Sequence, residues 1–548
     1  MKFRAILYDD YDLEYDENKE FTLKPWHKNV IFFIIIAALV NILAVFYINS
    51  GKLIYFWDNA TYWDISRALA ANAKWGSGFW RMVYDSIAQQ DYNYIAGIPS
   101  AVLMRFFGES RLVYVLGLVN MYLIPSYIVI YMLAYKVSKA PKIALTIIIL
   151  LFPIMMSIAF NGFVDIGGLL ICFICFNLYY PKKDKNDGIW RYILIGILLV
   201  FVMLWRRWYA FFSVSFLTAM IAECVLFKRK WYKAAVSALV AAAVLVLFFR
   251  GFILSRLMQD YGNLYAGYKF SVMTDFRLIT RYVGLGLTVI LAVCSVAAGI
   301  KKKEARTVFM WIQITVCLIM FLSTQTHGQQ HLLLYVPSLV MLTLIIIRHI
   351  TKEWMLVGIS ILSVLHAVNV YIPRTQPHNI QEIKHLALVP DFSMRPVPRG
   401  DVDEILALKR KLDSTVYEGD ILGVLASSFT INEDILKNVE PSLGIKPVRD
   451  DYIVSLPQVD SRDIDLSALY NVNYVLVVFP AQTHLSEGRQ TVVTEAVASF
   501  ANYADIATAY VEIPECETVI GDMTVKLFYR VREELQSDIN AFEARLYH

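Results

Sequence analysis

Charged side chains are scarce in the apolar part of this sequence, and the few that interrupt it are the candidates for chemistry. Asp58 lies in YFWDNATYWDISRALA (55–70), shortly after the first long apolar run. A carboxylate there can act as a general base towards a hydroxyl group. It can also cap a helix that begins near Asn59, because Asp is a good N-cap residue. Asp64 lies more than one helical turn further on, so we expect it to face elsewhere.

Asp165 occupies a comparable place in FNGFVDIGGLL (160–170), at the start of another apolar run. An ionisable residue at the edge of a membrane span is costly unless it has a function. Gly167 and Gly168 allow the backbone to approach another helix or a ligand closely. Asp165 is therefore the second acidic candidate, with a helix cap as the alternative.

Arg206 and Arg207 are adjacent in WRRWY (205–209), between two apolar runs. Guanidinium groups stay charged and bind phosphate oxygens through paired hydrogen bonds. We predict that the pair binds a lipid phosphate. Snorkelling of both side chains to headgroups is the alternative.

The segment THGQQH (326–331) offers further hydrogen-bond donors, of which His331 is a candidate for binding the phosphate. His327 and His331 have the i, i+4 spacing of a helical metal pair, but no third ligand is evident, so we predict no metal site. The loop 256–282 is rich in aromatic and charged residues, and an ordinary solvated loop is the alternative there. The predicted substrate-binding residues are Tyr62, Gln330, Tyr265 and Arg281.

The composition predicts that a membrane positions these residues. The chain has 548 residues, of which 57% are hydrophobic and 18% are charged. Ordinary soluble proteins have about 25% charged residues. Together with several apolar runs of about 20 residues, this indicates an α-helical polytopic membrane protein.

Apolar runs predict about eleven transmembrane helices within residues 30–371. They are roughly 30–49, 113–135, 143–160, 164–180, 190–205, 209–227, 234–255, 283–300, 307–323, 332–348 and 354–371. If each run crosses once, five basic clusters fall on one side, which the positive-inside rule makes cytoplasmic. The N-terminal tail (1–29) is then cytoplasmic, and the long loop 50–112 and the C-terminal residues 372–548 are extracytoplasmic. We therefore expect a multi-pass plasma-membrane protein whose candidate residues share the outer face.

The order of these motifs resembles that of membrane glycosyltransferases of the GT-C class, in the branch of the protein mannosyltransferases and aminoarabinose transferases. DNATYWDISRAL (58–69) is similar to the first outer-loop motif, in which Asp58 matches the catalytic Asp and Asn59 replaces a frequent Glu. GFVDIGG (162–168) resembles the second acidic site. HGQQHLLLYVPSLVML (327–342) resembles a segment before a late span, with His331 in the place of an Arg.

This resemblance implies transfer of a sugar from a polyprenyl phosphate at the outer face. Asp58 would remove a proton from the acceptor hydroxyl, and the leaving phosphate would be displaced with inversion. Arg206 and Arg207, with His331, would offset the charge of that phosphate, and Asp165 would position the acceptor. The partners implied are a lipid-linked sugar donor and a glycan, lipid or protein acceptor. These residues require no cofactor, and a divalent cation stays an alternative.

Residues 372–548 contain 16 basic and 27 acidic residues, a net charge of −11. This balance disfavours nucleic acid as a partner. After a linker (372–390), DVDEILALKRKLDS (401–414) has a helical pattern. GDILGVLAS (419–427), VNYVLVVFP (472–480) and MTVKLFYRV (523–531) are typical of strands. We predict a small extracytoplasmic α/β domain that contributes to acceptor recognition.

Two other functions fit the same features. A carrier or flippase for a lipid-linked glycan would use the arginine pair for phosphate without needing Asp58. A polysaccharide polymerase or ligase would use a diphosphate-linked donor. The sequence has no Gly-rich nucleotide loop followed by Lys, which weighs against a primary pump.

Overall fold

The computed structural model describes residues 25–51, 53–72, 75–138, 140–180, 188–228, 230–302, 305–350, 353–372, 382–394, 399–449 and 451–546. Most of the predicted N-terminal tail (1–29) and residues 373–381 of the predicted linker (372–390) lie outside these residues. The chain is helical up to Tyr371, and a mixed α/β region follows from Val402.

Each of the eleven apolar runs coincides with helical structure. Several of the helices are interrupted: Arg111–Leu118 continues through a π-helical segment, Val119–Leu123, into Ile124–Val137, and Arg250–Phe252 continues into the π-helical Ile253–Leu257. The other helices of this part are Pro25–Ser50, Pro141–Leu151, Ile154–Phe160, Asp165–Tyr179, Trp190–Trp205, Tyr209–Leu226, Tyr232–Phe248, Leu285–Lys302, Ala305–Thr324, Val336–His349 and Glu353–Tyr371.

The lengths of these helices make the chain a multi-pass membrane protein. Among the described residues, five helices are long and apolar enough to cross a membrane, and the number rises to eight if each of three bent helix pairs forms one span. The pairs are bent by 63°, 94° and 88°. Four apolar helices are shorter, so the prediction of eleven crossings stays a prediction.

The loop after the first helix, residues 51–110, folds into three helices. The helix expected near Asn59 is Trp57–Ala71, and Ser77–Gln89 and Ile98–Phe107 follow it. Pro99 lies in the first turn of its helix, where its missing N–H has no partner to lose. The chain passes close to the first of these helices at Gly97, since a Cβ there would lie 2.9 Å from the Ile65 side chain. We call residues 51–110 the first loop.

Four short elements complete the helical part. They are Tyr261–Leu264, the 3₁₀ turn Ala266–Tyr268, Val272–Val283, and the 3₁₀ helix Gln329–Leu334. The last of these leads directly into Val336–His349, whose Pro337 is again in the first turn.

The C-terminal region contains a five-stranded sheet in the order β2-β1-β3-β5-β4. The strands are β1 (Leu422–Leu425), β2 (Ile453–Ser455), β3 (Tyr474–Phe479), β4 (Tyr510–Ile520) and β5 (Met523–Arg530). β1 is parallel to β2 and β3, whereas β5 is antiparallel to β3 and β4. The helices are Val402–Thr415, Glu433–Ser442, Ser467–Tyr470, Thr491–Asn502 and Gln536–Leu546.

The sheet is covered on both faces, which explains the unbroken apolar run in its central strand. In β3, Val475 and Val477 belong to one apolar core, and Leu476 and Val478 belong to the other. Successive residues of a strand point to opposite faces, so a strand buried on both sides is apolar throughout. The region therefore has the α/β architecture that its sequence predicts, with β2 and β4 as additional strands.

Candidate active site

A cavity of about 690 Å³ lies between the helical part and the C-terminal domain. Seven of the nine predicted site residues line it: Asp58, Tyr62, Arg206, Arg207, Tyr265, Gln330 and His331. Asp165 and Arg281 are not among its lining residues. The candidate residues come from separate parts of the sequence, so the fold brings most of them to one place.

Asp58 lies in the first turn of the helix Trp57–Ala71 and does not cap it. The N-cap position is Phe56, whose backbone N–H donates to the Asn59 side chain at 3.3 Å. The Asp58 carboxylate accepts instead from Arg206 Nη2 at 2.6 Å, from the Tyr92 hydroxyl at 2.5 Å and from Gln330 Nε2 at 3.4 Å. Asp64, on the same helix, pairs with Arg67 at 3.2 Å and does not line the cavity.

These contacts keep Asp58 ionised. Burial favours the neutral carboxyl, but the Arg206 guanidinium and the Tyr92 hydroxyl outweigh it and hold the pKa of Asp58 below its ordinary value. The Arg206 guanidinium lies over the rings of Tyr62 and Tyr92, at 5.2 and 5.6 Å from their centres. These rings fix the cation where it meets the carboxylate.

Arg206 also approaches Asp165, with Nε 3.6 Å from Oδ1. Both side chains are almost completely buried, at 5% and 2% exposed. The structure thus places Asp165 behind Arg206, where it can act on a substrate only through that guanidinium. If both carboxylates are ionised, the group formed by Asp58, Arg206 and Asp165 has a net charge of −1.

Gly167 and Gly168 explain how these groups come together. A Cβ at Gly167 would lie 2.3 Å from the Trp205 ring, and one at Gly168 would lie 2.4 Å from the Tyr209 ring. Trp205 Nε1 donates to the Val164 carbonyl at 2.8 Å, and the Tyr209 hydroxyl donates to the Asp165 carbonyl at 2.7 Å. The two glycines thus admit a neighbouring helix end, and that helix end brings Arg206 to Asp165.

Arg207 has different neighbours from Arg206. Its guanidinium donates to the Tyr265 hydroxyl at 3.2 Å and lies 3.4 Å from Asp91, which also pairs with Arg256. Asp91 is 61% exposed, so this pairing is weak. The two arginines and one aspartate have a net charge of +1. Neither Asp91 nor Arg256 stood out in the sequence: Asp91 lies in a polar loop, and Arg256 lies at the end of an apolar helical segment.

The two histidines of THGQQH are used differently. His327 Nδ1 lies 2.5 Å from Asp275 Oδ1, and Nε2 lies 2.6 Å from the Tyr335 hydroxyl, so both ring nitrogens have partners. His331 Nδ1 accepts from the Gly328 N–H at 2.8 Å, which leaves the proton on Nε2. That Nε2 is buried and has no partner among the described residues. Burial lowers the pKa of His331, so the ring is neutral.

Two further predictions concern metal binding and Arg281. Among the described residues, no group of three or more His, Cys, Asp or Glu side chains could hold a metal ion. Arg281 is buried in the helix Val272–Val283, and its carbonyl accepts from the Asp391 N–H at 2.9 Å. The structure therefore does not bring Arg281 to the cavity with the other candidates.

The C-terminal domain forms the opposite side of the cavity, through residues that did not stand out in the sequence. Phe429, Asp434, Gln458 and His484 line it, and we call these four residues the domain wall. We call Asp58, Arg206, Arg207 and His331 the membrane wall. The two walls touch at Trp57, whose N–H donates to Asp434 at 2.7 Å.

Comparisons of sequence find no match, whereas comparisons of structure find proteins of similar fold. No protein-family model and no curated protein sequence matches the chain. The crystal structure of ArnT from Cupriavidus metallidurans bound to undecaprenyl phosphate is similar, with a TM-score of 0.58 and 12% identity over 91% of this chain and 98% of that one. The apo form of the same protein aligns with a TM-score of 0.56 and 10% identity, over 92% and 98% of the two chains.

The alignment extends over the helical part and most of the C-terminal domain, since it covers nearly all of both chains. At 12% identity such a likeness concerns the fold. The chain has the ArnT-like fold of the GT-C glycosyltransferases. This fold agrees with the resemblance of the first-loop motif DNATYWDISRAL.

Proposed function

We propose that this protein transfers a sugar from a polyprenyl-phosphate donor to an acceptor hydroxyl at the outer face of the membrane, with inversion at the anomeric carbon. One observation carries the proposal. An ionised carboxylate, Asp58, and a cationic group around Arg207 line the same cavity in a chain with the GT-C fold. ArnT, which shares that fold, binds undecaprenyl phosphate in its crystal structure.

Asp58 is the general base of the proposed reaction. The acceptor oxygen attacks the anomeric carbon, and its proton passes to the Asp58 carboxylate. A carboxylate with a low pKa is a weak base, but the hydroxyl becomes strongly acidic as its oxygen bonds to carbon. Proton transfer late in the reaction therefore suits a carboxylate that Arg206 and Tyr92 hold ionised.

Arg207 and His331 act on the leaving group. The bond between the anomeric carbon and the phosphate oxygen breaks with both electrons on the oxygen, so the lipid phosphate gains one negative charge. The net positive group around Arg207 offsets this charge, and the unpaired Nε2–H of His331 can donate to a phosphate oxygen. Tyr265, which accepts from Arg207, holds that guanidinium in place.

Asp165 is a positioning residue in this scheme. It neutralises part of the Arg206 charge from the side away from the cavity. Arg206 can therefore orient Asp58 without attracting the donor phosphate away from Arg207 and His331. Gln330, also bonded to Asp58, completes this support.

The test compares two substitutions on one helix. Full-length protein in nanodiscs is supplied with undecaprenyl-phosphoryl monosaccharides and an extract of cell-envelope glycans and lipids, and release of undecaprenyl phosphate is measured. We expect Asp58→Asn to lower turnover at least about 100-fold, since one general base contributes about 10²–10⁴-fold. Asp64→Asn, which changes a carboxylate outside the cavity, should leave turnover unchanged.

Three results would contradict the proposal. Full activity in Asp58→Asn would exclude its role as base. Transfer of a labelled lipid-linked sugar across a liposome membrane, without a new glycosidic bond, would identify a flippase instead. A requirement for diphosphate-linked donors would identify a polymerase or ligase.

A further inference from the structure

The domain wall is built at the carboxyl ends of three parallel strands. Phe429 follows β1, Gln458 follows β2 and His484 follows β3. In open α/β sheets, ligands bind in the crevice outside these strand ends. The domain therefore presents the edge of its sheet that suits ligand binding to the same cavity as Asp58.

Aromatic rings form the floor of this crevice. The Trp57 ring lies 4.4 Å from that of His484 and 5.1 Å from that of Phe429, between ring centres. Tyr268 extends the cluster, with its ring 6.0 Å from that of His484. Phe429 keeps 37% of its surface exposed, although Phe500, Phe528 and Phe542 of the same domain are buried. These rings offer apolar faces to the cavity.

The polar atoms that remain open on the domain wall are hydrogen-bond acceptors. His484 Nδ1 lies 2.9 Å from the Ser427 carbonyl, which can only accept, so Nδ1 has the proton and Nε2 has the lone pair. Burial lowers the pKa of His484 to about 4, so the ring is neutral at pH 7. Asp434 uses Oδ2 to hold the Trp57 N–H. His484 Nε2 and Asp434 Oδ1 have no hydrogen-bond partner in the described part of the chain.

The other charged groups near the crevice are already satisfied. Both oxygens of Glu433 accept from Gln458 Nε2, at 2.9 and 2.8 Å. Arg462 forms two hydrogen bonds with Asp463, at 2.7 and 2.8 Å. Arg462, which is the cation that the described part of the domain contributes to the cavity lining, is thus engaged, and the open acceptors favour a ligand that donates.

We propose that the domain wall and Trp57 bind a neutral sugar ring, so that the acceptor hydroxyl belongs to a glycan. A sugar ring has apolar C–H faces that pack on aromatic rings, and hydroxyl groups at its edge that donate to open acceptors. A lipid acyl chain would leave Asp434 and His484 unpaired, which is costly. An anionic headgroup would be repelled by Asp434.

The inference also explains the position of Trp57. This residue precedes Asp58, and its backbone has a positive φ of 51°, which is uncommon for a bulky residue. Its N–H is held by Asp434 of the C-terminal domain. A sugar stacked on the Trp57 ring would therefore be placed next to the proposed base. In this respect the inference rests on the proposed function.

The test measures sugar binding without a donor. Full-length protein in nanodiscs is mixed with cellobiose, maltose or chitobiose, and saturation-transfer NMR detects the bound sugar. We expect at least one disaccharide to bind, and Phe429→Ala to weaken its binding at least tenfold. The matched control is Tyr417→Ala, which removes an exposed aromatic ring of the same domain outside the cavity and should have no effect.

The inference is overturned if none of the disaccharides binds, if Phe429→Ala behaves like Tyr417→Ala, or if a Ser/Thr-containing peptide binds in their place. This failure can be told apart from failure of the proposed function. If a disaccharide binds and Phe429→Ala weakens it, while Asp58→Asn retains full turnover, the sugar site stands and the proposed base does not. If Asp58→Asn lowers turnover as expected but no disaccharide binds, the sugar site is wrong and the proposed base stands.

Discussion

The two walls of the cavity differ in the kinds of charged, polar and aromatic groups that they contain. The membrane wall holds buried charges in pairs: Arg206 is 5% exposed and lies between two carboxylates. The domain wall holds a partly exposed ring, Phe429, together with the neutral His484 and one carboxylate, Asp434. Of the two walls, only the membrane wall thus contains cations.

The difference follows from what each wall would bind. In the proposed reaction the phosphate gains a charge and the acceptor hydroxyl loses a proton, so fixed charges on the membrane wall stabilise the change. The rest of a neutral sugar acceptor does not change its charge during the reaction. Binding it through ring faces and hydrogen bonds avoids a field that would compete with the reacting groups.

The largest expected effect comes from removing the cation between the two carboxylates. Arg206→Gln leaves Asp58 and Asp165 without their shared counter-charge. Breaking a buried ion pair on one side costs about 3–5 kcal/mol. We expect a clear fall in apparent Tm, measured by intrinsic fluorescence in nanodiscs, and turnover reduced at least about 100-fold.

Two variants test whether burial causes this loss. Adding Asp165→Asn to Arg206→Gln should recover stability, because the innermost unpaired charge is gone; a non-additive gain in a double-mutant cycle would show the coupling. Arg207→Gln should change the apparent Tm little, since Asp91 is exposed and retains Arg256. Equal losses of stability in Arg206→Gln and Arg207→Gln would mean that burial does not determine the cost of removing either arginine.

An intermediate effect is expected at His331. His331→Phe keeps an aromatic ring beside Trp208 but removes the Nε2–H. A hydrogen bond to a charged group contributes about 1.5–3 kcal/mol. We expect undecaprenyl phosphate to bind at least tenfold more weakly, as measured by native mass spectrometry of the nanodisc-embedded protein.

The pH dependence of this effect separates hydrogen bonding from charge. Because burial lowers the pKa of His331, the ring stays neutral between pH 6.5 and 8. The ratio of the wild-type and His331→Phe dissociation constants should therefore be constant over that range. A ratio that grows as the pH falls would mean that a protonated His331 binds the phosphate.

The membrane wall could be largely predicted from the sequence, whereas the domain wall could not. Asp58, Asp165 and Arg206 stand out because each charge interrupts an apolar stretch, where an unpaired charge is costly. Phe429 and His484 lie in ordinary polar loops, and only the parallel pairing of β1, β2 and β3 brings them together. Periodicity indicates a strand but does not reveal its neighbours.

The same limit applies within the helical part. Apolar runs predicted where helices occur, because composition determines burial in a membrane. They did not predict that three pairs of helices bend by 63–94°, since the bends depend on packing against neighbouring helices. Nor did spacing reveal that Asp165 lies behind Arg206, which depends on two glycines meeting Trp205 and Tyr209.

The smallest expected effect concerns Glu433, a carboxyl group of the C-terminal domain that lines the cavity. Burial and the adjacent Asp434 raise the pKa of Glu433 to about 7, against an ordinary value of 4.5. Between these values the folded protein keeps a proton that the unfolded chain releases, so stability falls as the pH rises from about 5 to 7.5. Glu433→Gln, which cannot ionise, should lack most of this loss. Its apparent Tm should decline less than that of wild type over this range, whereas Glu418→Gln, an exposed change on the same domain, should follow wild type. Parallel curves for Glu433→Gln and wild type would mean that Glu433 is already ionised in the folded protein.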